Sequence, residues 1–330
     1  MARAARVFEP RLAVAAVVAM LALAGCAAGP PDRHQQADQV TQRIGALPAV
    51  VSASDVVADS VDAGLVYAEV HVLMTDDATA DQVAAVTSTY LDHLRDTDYS
   101  GYRTELDVRR GASTFVVGNG REQLTNGQQI VGQARDWSAL LDRFRGAAVT
   151  LHSAVAAQPA AGRVALQDSS AYPDVAAAFA TLAATAPNLA GGHWIVGAGR
   201  EHPAEVTTTG RWPTAAELTA WSALNADQSI PHADGMTVNG PTTGPLWFAE
   251  ITRSHDRGVA LQLARTHLPI VAKLPAPVLY TATDSWSGHL DATGQATSPT
   301  VVTVGGCTRR TYRAAPDEQA LANAYETCKR

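Results

Sequence analysis

Apolar and polar residues alternate through the segment LVYAEVHVLM, residues 65–74. One alternating set is apolar: Val66, Ala68, Val70, Val72 and Met74. The other set includes Tyr67, Glu69 and His71. A period of two predicts a β-strand with one buried face. Downstream, four apolar residues between positions 83 and 94 recur at helical spacing, and Thr79 with Gln82 has the spacing of a capping box. A helix is therefore expected from about residue 80.

The same kinds of element recur three times along the chain. Residues 38–108 are expected to form helix, strand, strand, helix and strand. In the second copy, apolar residues at helical spacing, among them Trp137, predict the first helix, and HWIVGAG predicts the closing strand. In the third copy, a stripe containing Trp221 begins the unit. A helix from Asp256 to His267 follows, which Pro269 is expected to end or kink, and PVLYTAT closes the unit.

Three local matches support an internal repeat. FVVGNGRE (115–122) matches WIVGAGRE (194–201), DWSALL (136–141) matches AWSALN (220–225), and LVYAEV (65–70) matches LWFAEI (246–251). The first two pairs predict a unit of about 80 to 90 residues, and the third spans close to two such units. Trp137 and Trp221 are expected to anchor the core.

With a strand before each first helix, the order becomes β-α-β-β-α-β, which resembles ferredoxin-like folds. The shorter helix–hairpin–helix–strand order is similar in topology to the BON modules of bacterial envelope proteins. The predicted fold class is therefore α+β, with three tandem split-βαβ modules that have antiparallel sheets. The expected modules span residues 37–112, 113–198 and 199–284, followed by a strand–helix tail over 285–330.

Two Gly-x-Gly segments end predicted strands: Gly118 and Gly120 before Arg121, and Gly197 and Gly199 before Arg200. A dinucleotide site needs a third glycine and a helix that begins directly after the turn. Here the third glycine is missing, and after Gly120 the next helix is expected only about 15 residues later. The segments therefore predict tight turns with positive φ. A ligand site at these turns is the alternative.

The N-terminal segment combines Arg3, Arg6 and Arg11 with a 13-residue apolar run over 12–24 and the sequence LAGC, which ends at Cys26. A basic start, a short apolar run and small residues are typical of a secretory signal, and the run is shorter than the roughly 20 residues that span a bilayer. LAGC resembles the lipobox of bacterial lipoproteins. The Ala-rich, Lys-poor composition is of the actinobacterial type.

The lipobox resemblance implies cleavage of residues 1–25, a diacylglycerol on Cys26, and a tether over 26–36. The protein is then expected to be exported and held by lipid at the outer face of the plasma membrane. In that oxidising compartment Cys307 and Cys328 are expected to form a disulfide, which closes a 22-residue loop worth about 3 kcal/mol. A metal or redox pair is the alternative, although the spacing fits no zinc pattern.

Charge narrows the classes of partner. The formal net charge is −7, and removal of residues 1–25 leaves 22 basic and 31 acidic side chains. A nucleic-acid-binding protein needs a basic face, so that class is excluded. The ten histidines show no short metal-ligand spacing, and no catalytic motif is recognisable, so neither metal nor catalytic residues are predicted. A metal site assembled from distant segments stays open as the alternative.

We therefore expect a lipid-anchored envelope protein whose ectodomain binds or scaffolds and is not an enzyme. The expected partners are the membrane, through Cys26, and an envelope protein or an apolar ligand. No cofactor is expected. A carrier that holds a lipid or another apolar ligand between the modules is the first alternative. An enzyme of unrecognised type is the second.

Overall fold

The computed structural model describes residues 31–60, 65–120, 122–156, 159–167, 172–199, 203–239, 246–283, 289–290, 296–297, 300–310 and 313–328. Within these ranges seven α-helices form. They are α1 (His34–Gly45), α2 (Ala80–Asp96), α3 (Gly127–Arg143), α4 (Tyr172–Thr185), α5 (Ala215–Ala226), α6 (Arg257–Val271) and α7 (Pro316–Tyr325).

Fourteen strands are formed by the same residues. They are β1 (Val50–Ser60), β2 (Leu65–Met74), β3 (Arg103–Arg110), β4 (Ser113–Asn119), β5 (Ala148–Ala154), β6 (Ala161–Ala165), β7 (His193–Ala198), β8 (Ala204–Thr209), β9 (His232–Val238), β10 (Leu246–Thr252), β11 (Val278–Thr283), β12 (His289–Leu290), β13 (Ala296–Thr297) and β14 (Thr300–Val304). The α+β class is confirmed.

Twelve of the strands form one continuous mixed sheet, in the order β1 to β11 followed by β14. Antiparallel hairpins alternate with parallel pairs: β1–β2 is antiparallel, β2–β3 parallel, β3–β4 antiparallel, and so on to β11–β14. The prediction of separate modules with antiparallel sheets is therefore wrong on both points, since the strands of each predicted module pair with those of the next. The predicted boundaries at 112/113 and 198/199 fall in the turn between β3 and β4 and just after β7.

The unit that repeats is a hairpin followed by a helix. The first strands of four successive hairpins begin at residues 103, 148, 193 and 232, so the period is 39 to 45 residues, about half of what the sequence matches suggested. The DWSALL and AWSALN segments lie in α3 and α5, two units apart, and bury Trp137 and Trp221 in the same way. This match reports a true structural repeat, and both tryptophans are confirmed as core residues.

The other two sequence matches join positions that are not equivalent. FVVGNG lies in β4, which precedes a helix, whereas WIVGAG lies in β7, which follows one. LVYAEV and LWFAEI both lie in second strands of hairpins, but their registers differ by one residue. Ala68 is buried in β2, whereas its match Ala249 points away from the core in β10. A slip of one residue exchanges the two faces of a strand.

The helices cover one face of the sheet. Every second residue of a strand is buried, and the buried residues of neighbouring strands lie opposite one another. One such row consists of Val70, Leu106, Val117 and Ser153. Helices α1 to α7 bury their apolar stripes against this face, and successive helices contact one another, so sheet and helices share a single core. From β1 to β10 the opposite face carries mostly half-buried and exposed side chains, whereas on β11 and β14 its residues Leu279, Thr281 and Thr303 are buried.

Local sequence signals explain where several helices begin. Thr79 and Gln82 form the predicted capping box of α2, and Asp256 caps α6 by accepting a hydrogen bond from the Gly258 amide at 2.7 Å. Helix α3 begins at Gly127, earlier than expected, because Ile130, Val131 and Ala134 extend the buried stripe of Trp137.

Helix α6 also departs from the prediction at its end. It continues past Pro269 to Val271, so the proline does not end it. The buried side chains of Leu268 and Val271 favour another half-turn of helix against the sheet.

The predicted disulfide between Cys307 and Cys328 is present. It joins the end of β14 to the segment after α7. Nearby, Glu326 accepts hydrogen bonds from Arg310 at 2.8 and 2.9 Å and from the Thr303 amide at 3.1 Å. Crosslink and ion pair together attach the C-terminal helix to the last strand of the sheet.

Gly162 on β6 offers a test of packing at the centre of the core. It pairs with Trp194 on β7, and an added Cβ would lie 2.4 Å from the indole ring. The ring cannot withdraw easily, because its Nε1 donates to the Leu189 carbonyl at 3.0 Å and it packs against Trp212. We expect Gly162→Ala to lower the free energy of unfolding by about 1–3 kcal/mol.

Gly118→Ala is the matched control, since Gly118 also lies in a strand and an added Cβ there meets nothing within 4 Å. This variant is expected to change the free energy of unfolding by less than about 0.5 kcal/mol in urea titrations. Equal effects of the two substitutions would contradict the proposed clash.

Candidate functional site

Five ionisable side chains meet inside the apolar layer between the sheet and α6. They are His232, Asp234, Glu250, His267 and Tyr280, and we call them the histidine–carboxylate cluster. Each of the five residues is at most 4% exposed. Ionisable groups are rarely buried this completely unless they are paired or bind a ligand. The cluster is therefore the strongest candidate site among the described residues.

Three adjacent strands and one helix position the cluster. His232 and Asp234 are alternate residues of β9, and both point to the helix-covered face. Asp234 pairs with Glu250 across the antiparallel β9–β10 ladder. Tyr280 comes from β11, and His267 comes from α6, the helix that connects β10 to β11. The β10–α6–β11 crossover thus brings together residues that lie far apart in the sequence.

Glu250 is the centre of the hydrogen-bonded part of the cluster. Its Oε1 and Nδ1 of His267 share a hydrogen bond of 2.7 Å, and its Oε2 accepts one from the Tyr280 hydroxyl. His232 uses its Nδ1 differently, in a 2.5 Å hydrogen bond to the Ile230 carbonyl. The two imidazole rings lie close, with centroids 5.2 Å apart.

Four buried polar atoms of the cluster have no hydrogen bond of acceptable geometry within the described part of the chain: Nε2 of His232, Nε2 of His267 and both carboxylate oxygens of Asp234. His232 Nε2 lies 3.2 Å from Asp234 Oδ2, and His267 Nε2 lies 3.5 Å from Oδ2 of Asp227. A buried polar atom without a partner costs about 1–3 kcal/mol. A bound ligand that contacts these atoms would supply the missing interactions, so the cluster is a candidate binding site.

The carboxylates hold protons on the imidazoles. Burial alone would lower the pKa of His232, but the adjacent Asp234 carboxylate outweighs burial and raises that pKa to about 9. Burial likewise opposes the charge of His267, and its hydrogen bond to Glu250 overcomes this effect and raises the pKa of His267. Burial, followed by the Glu250 charge, holds the pKa of Tyr280 well above its ordinary value. Burial also raises the pKa of Glu250, although the adjacent His267 opposes this effect. Burial and hydrogen bonding within the cluster thus act together on the protons of these side chains.

Sequence reasoning missed this cluster, although one signal was present. In LWFAEIT, Glu250 belongs to the same alternating set as Leu246 and Phe248, so the pattern placed a carboxylate on the buried face. The match to LVYAEV hid this signal, because Glu69 of that segment is on the opposite, open face. The two histidines follow no short motif, since the fold alone brings them together.

The two Gly-x-Gly segments do not meet. Gly118 lies near the end of β4 and Gly197 near the end of β7. These two strands run in opposite directions, so the two turns lie at opposite ends of the strands of the sheet. Gly199 has the expected positive φ, 78°, whereas Gly120 does not. Gly120 instead donates its amide to Glu122 at 2.9 Å.

Other residues singled out in the sequence are placed as follows. Arg121, Arg200 and Cys26 lie outside the described residues. Asp256 caps α6 and Ser254 accepts a hydrogen bond from the Asp256 amide at 3.1 Å, so the two form no catalytic arrangement with His255. His71 lies on the open face with Nε2 3.6 Å from Glu69 and Nδ1 3.7 Å from Asp107.

No protein-family model matches the sequence, and no match was found among curated proteins or among solved structures. Of the helices formed by the described residues, none is long and apolar enough to cross a bilayer. Arguments about function therefore rest on the geometry of the chain itself.

The Tyr280 hydroxyl is expected to stabilise the buried Glu250 carboxylate. We predict that Tyr280→Phe lowers the free energy of unfolding by about 1.5–3 kcal/mol, because it removes a hydrogen bond to a charged group. Urea titrations monitored by circular dichroism measure this loss.

Tyr90→Phe is the matched control. Tyr90 is equally buried, but its hydroxyl makes no hydrogen bond of acceptable geometry with the described residues. Removal of this hydroxyl is expected to be neutral or stabilising. If the two substitutions cost the same, Tyr280 makes no special contribution to the cluster.

Proposed function

We propose that this protein is a lipid-anchored, non-enzymatic protein of the cell envelope whose ectodomain binds another envelope protein. The sheet face that the helices leave uncovered is the proposed binding surface, and the one-sided covering of a twelve-strand sheet is the observation that carries the proposal. We call this surface the open face. Its central residues, all half-buried or exposed, are Thr114, Thr150, Arg163, Ile195, Glu205, Thr207, Thr237 and Ala249.

The chemistry of the open face favours a protein partner of little net charge. Threonines dominate its centre, and its charged side chains form opposite-sign pairs. Arg163 lies 3.3 Å from Glu205, and Arg109 lies 2.9 Å from Asp107. Such pairs offer no excess of positive charge to an anionic lipid surface or a polyanion. A neutral, hydrogen-bonding protein surface complements this face better.

The area of the open face is sufficient for a stable complex. The ten strands β1 to β10 lie about 4.8 Å apart and span roughly 43 Å, and six residues of strand span roughly 20 Å. The product, about 860 Å², reaches the roughly 800 Å² per partner of a standard interface.

The proposed lipid anchor would hold the ectodomain at the cell envelope, and we therefore propose a partner in the same envelope. Seven residues lie between Cys26 and the start of α1 at His34. Fully extended, such a tether reaches no more than about 30 Å. A lipid on Cys26 would therefore keep the ectodomain close to the membrane and to the proteins of the same surface.

The anchor itself is tested by labelling with an alkyne analogue of palmitate. We expect the wild-type protein to incorporate the label and Cys26→Ala to lose it, because the thioether to diacylglycerol requires the cysteine sulfur. Ala28→Ser is the control and should keep the label. A wild-type protein without label, or a labelled Cys26→Ala variant, would contradict lipidation at Cys26.

Photo-crosslinking in intact cells tests the binding surface. A photoreactive amino acid at Thr207, at the centre of the open face, is expected to capture one envelope protein. The same group at Thr219, an exposed threonine of α5 on the helix-covered side, should not capture it.

The captured protein is then purified and its affinity measured. Thr207→Arg is expected to weaken binding at least tenfold, because a long charged side chain separates the two surfaces, while Thr219→Arg stays within about twofold of wild type. Equal capture from both positions, or equal affinities of the two variants, would contradict the proposal. Crosslinking to a second copy of this chain would do so as well.

A further inference from the structure

We propose that the histidine–carboxylate cluster is a binding site for one Zn²⁺ ion, with His232, Glu250 and His267 as ligands and Asp234 as the fourth. This site is independent of the open face and goes beyond the proposed function. It is carried by the convergence of these side chains and by four buried polar atoms that make no hydrogen bond of acceptable geometry with the described residues.

The donor atoms already converge. One ligand atom each from His232, Glu250 and His267 lies within 4.8 Å of the others, and all three residues are buried. Ligand atoms of tetrahedral zinc lie about 2.0–2.2 Å from the metal and so roughly 3.3–3.6 Å from one another. Binding therefore requires a contraction of about 1 Å, which rotation of buried side chains can supply.

In each imidazole, the ring nitrogen that would not bind the metal faces the kind of group that is found behind zinc-binding histidines. The Ile230 carbonyl accepts a hydrogen bond from Nδ1 of His232 and so leaves the Nε2 lone pair free to bind metal. His267 faces Glu250 with Nδ1 and directs Nε2 toward the Asp227 carboxylate at 3.5 Å. A backbone carbonyl or a carboxylate behind each ligand histidine fixes the tautomer and increases its basicity.

The remaining polar atoms are also accounted for. Asp234 has two buried oxygens without hydrogen bonds, and Oδ2 lies 3.2 Å from Nε2 of His232. It can therefore complete an N₂O₂ set. Tyr280 hydrogen-bonds the second oxygen of Glu250 and orients this carboxylate. Four protein ligands leave no open position, as in structural zinc sites, and this agrees with a binding protein.

Charge balance favours a divalent ion. Two carboxylates with two neutral imidazoles carry a charge of −2, which one divalent cation neutralises inside the apolar layer. Two imidazole ligands disfavour Ca²⁺ and Mg²⁺, which take oxygen ligands, and the absence of sulfur from the set disfavours Cu⁺. Zn²⁺ suits a tetrahedral set of two histidines and two carboxylates.

The test uses the full-length chain, purified in detergent with its affinity tag removed and dialysed against a chelator. Zn²⁺ is added, unbound metal is removed by gel filtration, and the metal content is measured by mass spectrometry. We expect one Zn²⁺ per chain. Added Co²⁺ should give the intense visible bands of a tetrahedral site. Calorimetry with Zn²⁺ provides the affinity.

Three variants locate the ion. His267→Asn should lose Zn²⁺, or bind it at least 100-fold more weakly. Asp227→Asn alters only the partly exposed outer carboxylate and should weaken binding 10- to 100-fold. His152→Asn, at an exposed histidine of β5, is the control and should bind as wild type. If His267→Asn does not fold, Asp227→Asn and the Co²⁺ spectrum decide.

The proposal is overturned if the wild-type chain binds less than 0.2 equivalents of Zn²⁺ or gives no tetrahedral Co²⁺ bands. It is likewise overturned if folded His267→Asn retains wild-type affinity, or if Asp227→Asn and His152→Asn bind identically. These outcomes leave the open-face proposal untouched, because that proposal is judged by crosslinking and affinity at Thr207.

Discussion

One constraint governs the architecture: all the helices that the structure describes cover the same face of the sheet. Strand direction reverses between successive parallel pairs, for example β2–β3 and β4–β5, yet each crossover steps the same way across the sheet. Each crossover leads from one strand through a helix to the neighbouring parallel strand. Since the helix always lies on the same face and the next strand always lies on the same side, the hand of the crossover depends only on strand direction and reverses with it. The five crossovers therefore alternate in hand, and at least two are left-handed. Right-handed connections are strongly preferred in general, at about 98%. Burial of every apolar stripe in one shared core, with Trp137, Trp194 and Trp221 at its centre, outweighs that preference here.

Local features of this fold could be predicted from the sequence, and long-range ones could not. The strand over 65–74, the capping box at Thr79 and the buried faces of Trp137 and Trp221 depend on neighbouring residues, so periodicity is sufficient. The disulfide followed from an inferred compartment and only two remaining cysteines. Strand pairing depends on contacts between units, and the short sequence matches gave a misleading guide to it. The glutamate of the same Ala-Glu dipeptide is half-buried on the open face at Glu69 and fully buried at Glu250, because a one-residue shift of register decides which face a strand buries.

The histidine–carboxylate cluster illustrates why a site can escape sequence reasoning. Its members come from β9, β10, β11 and α6, and each has an ordinary explanation when it is read alone. Only the pairing of β9 with β10 and the return of α6 over the sheet bring Asp234, Glu250 and His267 together. Elsewhere in the core, most inward positions of the strands hold apolar residues such as Val70, Val117 and Val196. The β9–β11 unit thus has ionisable side chains in the buried layer between sheet and helix, where the rest of the core has apolar ones.

That replacement has an energetic consequence that distinguishes a site from ordinary core variation. Apolar side chains of similar volume often stabilise a core as well as a buried ion pair does, or better. A unit under selection for stability alone would therefore favour the apolar residues found in its neighbours. The cluster instead keeps two imidazoles and two carboxylates, and four of their atoms make no hydrogen bond of acceptable geometry with a described residue. A divalent ion bound to Nε2 of His232, Nδ1 of His267 and one oxygen each of Glu250 and Asp234 would replace two protons with one charge-matched centre. The same ion would crosslink β9, β10 and α6, the elements next to the disulfide-closed end of the sheet, and so add a second crosslink to that end.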